Sequence, residues 1–549
     1  MNGKAAEKSK YVSARARGAR VPAINSAPMR PPLIRAAVTV FTASFCIMVI
    51  ELAAGRVLAP HVGISLYTWT SIIGVVLAGI SGGAYAGGWL ADRRPAPSTL
   101  GWLLLAAGFT AVAIAPATTI LAGDEGLLTT LGLATTLLQR VVALAFLLFF
   151  LPAFFLGMIS PVAVKLAVRD LDTAGRTVGK IYAFSTLGSI LGTFVTGFWL
   201  IAEFGTRSTL IGTGVVLIAA ALLLGDLLGR RGRVYTVAVL IAGAVFAAAQ
   251  TKPPLPPYHD PVLHSGIGII HFDESQYYTI RVDRTIREDN GATINALHLD
   301  HLVHSYSDPA DPTHLEYDYQ RAFNEVIQSV ARRRANFRLL FIGGGGYTLP
   351  RLVVTEHPHA QVDVVEIDPE VTRVARQWFS VPRTPRIRTI NQDARWFALR
   401  STDEPYDAII IDAFNDLSVP FHLTTREATA NFARLLRPDG TLLANVIDDY
   451  EHGRFLRSYL RTLQSVFGEG KVSLVMESRD DLRSDRSTFI VTASRGATPS
   501  FAGAEVLPSA ELRQYVRANG AIVLTDDYVP VDNMLAPLFT QRFVDEQGH

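Results

Sequence analysis

The residues best placed to do chemistry lie between Leu339 and Asp416, which reads LLFIGGGGYTLPR, then VDVVEIDPE, then INQDAR, then YDAIIIDAFND. Gly343, Gly344, Gly345 and Gly346 follow an apolar run. Glycines there let a backbone turn sharply and approach a ligand without Cβ clashes. Glu366 ends the next apolar run, where an acid can accept both hydroxyls of a ribose. Asp393 ends the third, a place suited to an adenine amino group, and Asp412 ends the fourth. Ligands of open α/β sheets bind outside the carboxyl ends of the strands. Four such features at four successive strand ends describe a nucleoside-cofactor pocket, although each alone also fits a turn or a helix cap.

The elements that must position these residues are legible around them. Arg338–Ile342, Val362–Val365, the run before Asp393 and Tyr406–Ile411 read as strands of a parallel α/β sheet, a Rossmann-like domain over 336–549. Pro350 fits only the first turn of the helix after the glycines. Upstream, Gly266–Arg284 and Ala292–His304 alternate apolar and polar residues around Asn290-Gly291, a dipeptide suited to a tight hairpin turn. With a helix at Glu316–Arg332 they predict a small β-hairpin subdomain over 265–335. His298, His301 and His304 do not form a metal triad on a strand, because His301 points away from the other two. Leu524-Thr525-Asp526-Asp527 either closes the pocket or is an ordinary loop.

The N-terminal half has a different composition. The chain averages 49% hydrophobic and 18% charged residues, but Ala36–Ala249 is dominated by Leu, Ala, Val, Ile, Phe and Gly. A membrane span needs about 20 mostly apolar residues. About seven segments qualify: Ala36–Leu58, Thr68–Leu90, Leu100–Leu121, Val141–Val164, Gly179–Ile201, Leu210–Leu228 and Val234–Ala249. They predict a transmembrane helical bundle over 34–250, reached from a basic tail over 1–33 and followed by a proline-rich linker over 251–264. Gly83 and Gly87, like Gly188 and Gly192, are spaced for close helix approach. Glu51 and Arg56, in or beside the first span, line a substrate path, pair with each other or reach the interface. The net charge of +2 argues against nucleic acid as a partner. The single cysteine, Cys46, excludes an intrachain disulfide.

Cationic loops set orientation. The tail, Asp92-Arg93-Arg94, the Lys165–Arg176 loop and Arg230-Arg231-Gly232-Arg233 fall at alternate loops of a multi-pass protein of a bacterial-type plasma membrane. If Val234–Ala249 spans, the soluble domain emerges outside the cytoplasm, where nucleoside cofactors are not normally supplied. Charge favours outside and chemistry favours inside.

The chain from about Ser265 to Ala493 resembles the polyamine aminopropyltransferases, the spermidine synthases, and the whole chain is similar to membrane-fused members of that family. The segments that carry the likeness are ESQYYTIRV, HLDHLVHS, IGGGGYTLPR, VVEIDPEV, QDAR, YDAIIIDAF and HLTTREA, with IELAAGRVLAPHVG and SLYTWTSIIG in the membrane half. The resemblance implies transfer of an aminopropyl group from decarboxylated S-adenosylmethionine, a co-substrate, to an amine such as putrescine. It implies no metal and no prosthetic group, and it allows a homodimer. It makes Asp412 the acid that takes the amine's proton, Glu366 the ribose ligand and Asp393 the adenine contact, with Tyr317 or Tyr319 assisting Asp412. The amine side departs from the family. Gly346 stands where the glycine loop commonly has an acid. Asn415 stands where a second acid holds the amine, with Asp416 one place later. Tyr278 and His304 replace two cofactor-side glutamines. Two other functions stay open: an S-adenosylmethionine-dependent transferase with another group or acceptor, and a polyamine transporter or sensor without turnover.

Overall fold

Small residues in register decide how the N-terminal helices meet. The computed structural model describes residues 33–122, 128, 136–227, 267–287, 291–300, 302–413, 419–484, 486–518 and 520–540. The basic tail, the segment Val234–Ala249, the proline-rich linker, His301, Asn415 and Asp416 therefore lie outside the described residues. The described N-terminal helices are α1 (Leu33–Val62), α2 (Leu66–Arg93), α3 (Pro97–Ala122), α4 (Leu137–Gly157), α5 (Ile159–Ala167), α6 (Ala174–Val195) and α7 (Ile201–Leu224). On α2 the buried residues are Thr68, Ile72, Val76, Gly79, Gly83, Gly87 and Ala91, a single stripe of one residue per turn. A Cβ on Gly83 would lie 2.1 Å from the Phe154 carbonyl oxygen of α4, and one on Gly188 of α6 would lie 2.4 Å from that of Phe41 on α1. These helices touch backbone to backbone, as the glycine spacing predicts.

Five stretches among the described residues are long and apolar enough to cross a membrane: Leu33–Val62, Leu66–Arg93, Pro97–Ala122, Leu137–Ala167 and Ala174–Leu224. The count differs from about seven partly because the predicted segments Gly179–Ile201 and Leu210–Leu228 share one 51-residue stretch. That stretch does not run straight. At Gly205 the backbone takes φ 72° and ψ 168°, a left-handed conformation that glycine adopts without Cβ strain. Gly188 and Gly192 on the first arm sit beside Phe41 and Phe45, so α6 runs parallel to α1. On the second arm the Leu224 carbonyl accepts from Arg35 Nε at 2.8 Å, so α7 returns to the start of α1. The two ends of the bundle follow. Arg35, Leu224 and the Lys165–Asp92 pair, 2.8 Å apart, share one end. The turn between Val62 and Leu66 and the bend at Gly205 share the other.

The C-terminal half holds two sheets. The first is a four-stranded antiparallel meander of β1 (Gly268–Glu274), β2 (Thr279–Ile286), β3 (Thr293–Leu299) and β4 (Leu302–Ser307). It replaces the single predicted hairpin, because two further turns, at Ser275–Tyr278 and at Asp300, each divide what reads as one alternating run. Gly291, at φ 69°, takes the left-handed turn expected of it. Helix α8 (Asp318–Arg333) leads into the second sheet. Its strands are β5 (Arg338–Ile342), β6 (Gln361–Glu366), β7 (Ile387–Asn391), β8 (Tyr406–Ile411), β9 (Leu436–Asp448), β10 (Val472–Met476), β11 (Ser487–Ser494) and β12 (Glu505–Val506). The spatial order is β12-β10-β11-β9-β8-β5-β6-β7, parallel from β9 to β7 and antiparallel beyond β9. This is the expected Rossmann-like, methyltransferase-type sheet. Between β5 and β8 the strand order reverses, and that crevice is where such sheets bind ligands.

Neighbouring glycines test the packing. A Cβ on Gly87 would lie 2.6 Å from the Met158 carbonyl oxygen, whereas nothing lies within 4 Å of one on Gly88. Gly87→Ala should destabilise the bundle by about 1–3 kcal/mol. Gly88→Ala should leave the melting temperature in detergent unchanged or raised.

Candidate functional site

The switch-point crevice is built by a backbone approach that only glycine permits. After β5, Gly343 has φ 94°, and a Cβ on it would sit 2.3 Å from the Asp412 carbonyl oxygen. The loop then turns so that Gly344 N–H donates to Glu366 Oε2 at 2.7 Å, while Asp368 N–H donates to Oε1 at 2.9 Å. Glu366 is buried, which raises its pKa, and these backbone donors draw it back down. An ionised carboxylate has about four lone-pair sites, so Glu366 keeps acceptor capacity for ligand hydroxyls.

Asp393 does two things. It caps the helix α9 (Ala394–Arg400), its Oδ1 accepting from Trp396 N–H at 3.0 Å, and its Oδ2 lies 3.1 Å from His422 Nε2 at the pocket wall. Asp412 Oδ2 accepts from the Tyr319 hydroxyl at 3.1 Å, and Oδ1 accepts from Asn445 Nδ2 at 3.2 Å. Burial raises the Asp412 pKa and both hydrogen bonds lower it. Of the two candidate tyrosines, Tyr319 reaches the acid. Tyr317 instead donates to the Val303 carbonyl at 3.2 Å, and its ring lies against that of Tyr319 with centroids 5.4 Å apart. Tyr317 precedes α8 and Tyr319 lies within it, so their stacked rings send their hydroxyls to different acceptors.

Gly343, Gly344, Glu366, Asp393, Asp412 and His422 line a cavity of about 330 Å³, with Tyr278, Asp300, His304, Ser305, Gln320, Thr348 and Gln392 also in its wall. Asp300 sits in the β3–β4 turn at φ 55° and accepts from Thr279 N–H at 3.0 Å, and burial pushes its pKa up to about 6. Gln320 Oε1 and Asn445 Oδ1 are buried without a hydrogen-bond partner among the described residues. Gly346, the departure in the glycine loop, donates its N–H to Ser305 Oγ at 2.9 Å. A Cβ there would lie 2.7 Å from Ser305 Cβ and 3.0 Å from the Phe379 ring, so this backbone has no room for an acid at position 346.

Other readings resolve differently. His298 lies 3.0 Å from Asp283, whereas His304 faces the cavity, so the two histidines have separate surroundings. The loop at Leu524–Asp527 stands outside the cavity wall. Asp526 pairs with Arg395 and accepts from Thr425 Oγ1 at 2.7 Å, tying that loop to the core. Sequence reasoning missed Asp300, Gln320 and Asn445. Gln320 adjoins Tyr319 in the sequence, and Asn445 is a polar residue inside the apolar run LLANVI of β9, next to Ala444, which pairs with Ile411.

Residues 319–477 match the family model described as "Spermine/spermidine synthase domain". The C-terminal region carries a spermine/spermidine synthase domain. A polyamine aminopropyltransferase of Vibrio vulnificus is 36% identical over 137 residues, 24% of this chain and 44% of that protein. Polyamine aminopropyltransferase 1 of Streptomyces coelicolor is 26% identical over 351 residues, 58% of this chain and 62% of that protein. An N-terminal histidine N-methyltransferase of Emericella nidulans is 30% identical over 209 residues, 36% of each chain. In each case the alignment spans less than two thirds of the relative. The synthase domain's matched region begins at Tyr319 and includes Gly343–Gly346, Glu366, Asp393, Asp412 and Asn445.

Tyr319→Phe and Asn445→Ala each remove a donor to ionised Asp412. With less stabilisation of the charged form, the Asp412 pKa rises. If Asp412 is the base, the acidic limb of the pH–rate profile should move to higher pH in both variants, while Tyr317→Phe leaves it in place.

Proposed function

We propose that the protein is a membrane-bound aminopropyltransferase acting on decarboxylated S-adenosylmethionine and an amine such as putrescine. The observation that carries this reading is the half-buried Asp412 carboxylate, held by Tyr319 and Asn445 at the switch point, one glycine turn from Glu366. The nucleoside's ribose would lie on Glu366 and its adenine near Asp393. The amine nitrogen would attack the methylene next to the sulfonium. The carbon–sulfur bond breaks, its electron pair goes to sulfur, and methylthioadenosine leaves. The new ammonium loses its proton to Asp412. The buried oxygens of Gln320 and Asn445 are suited to N–H donors of the amine. Purified protein should release methylthioadenosine. Asp412→Asn should lower turnover by about 10²- to 10⁴-fold and spare nucleoside binding, and unchanged turnover would remove Asp412 as the base.

A second reading has its own support. With Gly346 against Ser305, the loop presents no acid to an aminopropyl ammonium, and one relative is named as a methyltransferase. Ordinary S-adenosylmethionine, which carries a carboxylate on the same arm, then meets less repulsion. Calorimetry with the two nucleosides separates the readings: strong preference for the decarboxylated form supports aminopropyl transfer, and equal binding supports another transferred group.

The chain is read as a multi-pass plasma-membrane protein. The synthase domain contacts the bundle at the end that holds Val62–Leu66 and Gly205, through Thr206 N–H donating to Glu274 Oε2 at 2.6 Å. Arg93, Arg94 and Lys165 lie at the other end, which the charge rule assigns to the cytoplasm. This supports a synthase domain on the outer face, supplied with nucleoside from that side. An alkaline phosphatase fused after His549 should then be active and a fluorescent protein there dark. The reverse pattern would place the domain inside.

A further inference from the structure

The membrane helices reach the nucleoside pocket directly. Arg56, near the C-terminal end of α1, donates from Nη2 to the Ser275 carbonyl at 2.6 Å and from Nη1 to the Tyr277 carbonyl. Both acceptors belong to the turn that joins β1 to β2. The planar guanidinium fork meets two carbonyls at once, which an ammonium on a flexible stem does poorly. Ile64, in the turn after α1, forms part of the cavity wall. Leu66 at the start of α2 donates its backbone N–H to Asp532 of the synthase domain.

From the Arg56 turn a continuous set of hydrogen bonds runs into the pocket. Ser275 Oγ accepts from Tyr277 N–H at 3.0 Å and Tyr278 N–H at 2.9 Å, and donates to Asp368 Oδ2 at 2.5 Å. Asp368 is buried, and its own N–H donates to Glu366 Oε1 at 2.9 Å. Glu366 Oε2 holds Gly344 N–H at 2.7 Å. Tyr278, whose backbone the turn fixes, lines the cavity beside Asp300 and Glu366. The Arg56–Tyr277 contact is exposed, but the joints from Arg56–Ser275 onward are buried or half-buried, where a lost partner leaves a carbonyl or carboxylate without compensation.

We propose that Arg56 of the first membrane helix is a positioning residue for nucleoside binding: it fixes the Ser275–Tyr278 turn, and through Asp368 that turn sets Glu366 and the glycine loop. The bundle is then a working wall of the pocket as well as an anchor. The inference rests on the nucleoside reading above and adds a residue 310 positions before Glu366 to its binding machinery.

The test is calorimetric binding of 5′-methylthioadenosine to the full chain in detergent. Arg56→Ala should weaken binding by about tenfold, and Arg56→Lys should recover part of it. Arg35→Ala is the control, because it removes an arginine–carbonyl contact at the opposite end of the bundle, and it should bind as the wild type does. In turnover, Arg56→Ala should raise KM for the nucleoside and leave kcat within about twofold. Where Arg56→Ala fails to fold, Arg56→Lys decides: weaker binding at an unchanged melting temperature supports the proposal. Wild-type affinity in the folded Arg56 variant, or an equal loss in Arg35→Ala, overturns this inference alone. Absence of binding by the wild type overturns the nucleoside reading and this inference with it.

Discussion

The contact on which the site depends is the crossing of Gly343 over the carbonyl of Asp412. A side chain at 343 would sit 2.3 Å from that oxygen, so a substitution there must move the end of β8, and with it Asp412, away from the glycine loop. The same loop places Gly344 N–H on Glu366. One backbone approach therefore fixes the spacing between the acid proposed to hold a ribose and the acid proposed to take a proton. Neither could be displaced without the other, because both are referred to residues 343 and 344.

Around this crossing the pocket concentrates acids in a poorly solvated place. Glu366, Asp368, Asp300 and Asp412 all have raised pKa values, and burial is the largest cause for each. Such a group of carboxylates is costly when empty and favours a ligand that brings positive charge. A sulfonium nucleoside does so. The Tyr319 and Asn445 bonds oppose the effect of burial at Asp412 and favour its ionised form. Arg56 has the same sense at Asp300 and Asp368, where its charge favours the ionised forms.

The strand-then-acid pattern was legible because β5, β6 and β8 are short, mostly buried apolar runs that stop at the crevice; β7, at the sheet edge, is only partly buried and ends two residues before Asp393. Gly343 to Asp412 needed only local period and punctuation. The choice between Tyr317 and Tyr319 was not legible, since it depends on where α8 begins and on how it lies against β8. Two turns of the meander, Ser275–Tyr278 and the one at Asp300, were missed because neither carries a glycine or proline. The fold-back at Gly205 was read as two spans, which gives the right two arms but not the bend that joins them. Arg56 was read within its own span, as lining a substrate path, as a partner for Glu51 or as reaching the interface. Its acceptors lie 219 and 221 residues further on, and they are backbone carbonyls, which no side-chain pattern announces.

That last point bears on how an apolar helical bundle and an α/β domain become one working unit. An ion pair across the junction would require two charges to leave water, and the attraction often fails to offset that loss. A guanidinium facing two carbonyls desolvates one charge, and its partners are dipoles that any sequence supplies. The joint between α1 and the Ser275 turn thus places its chemical demand on position 56, while residues 275 and 277 contribute through backbone. Ser275 carries the constraint onward with its side chain, toward Asp368. Within this joint Arg56 holds the backbone of the turn and the Ser275 side chain holds Asp368, so the two act in series through one turn.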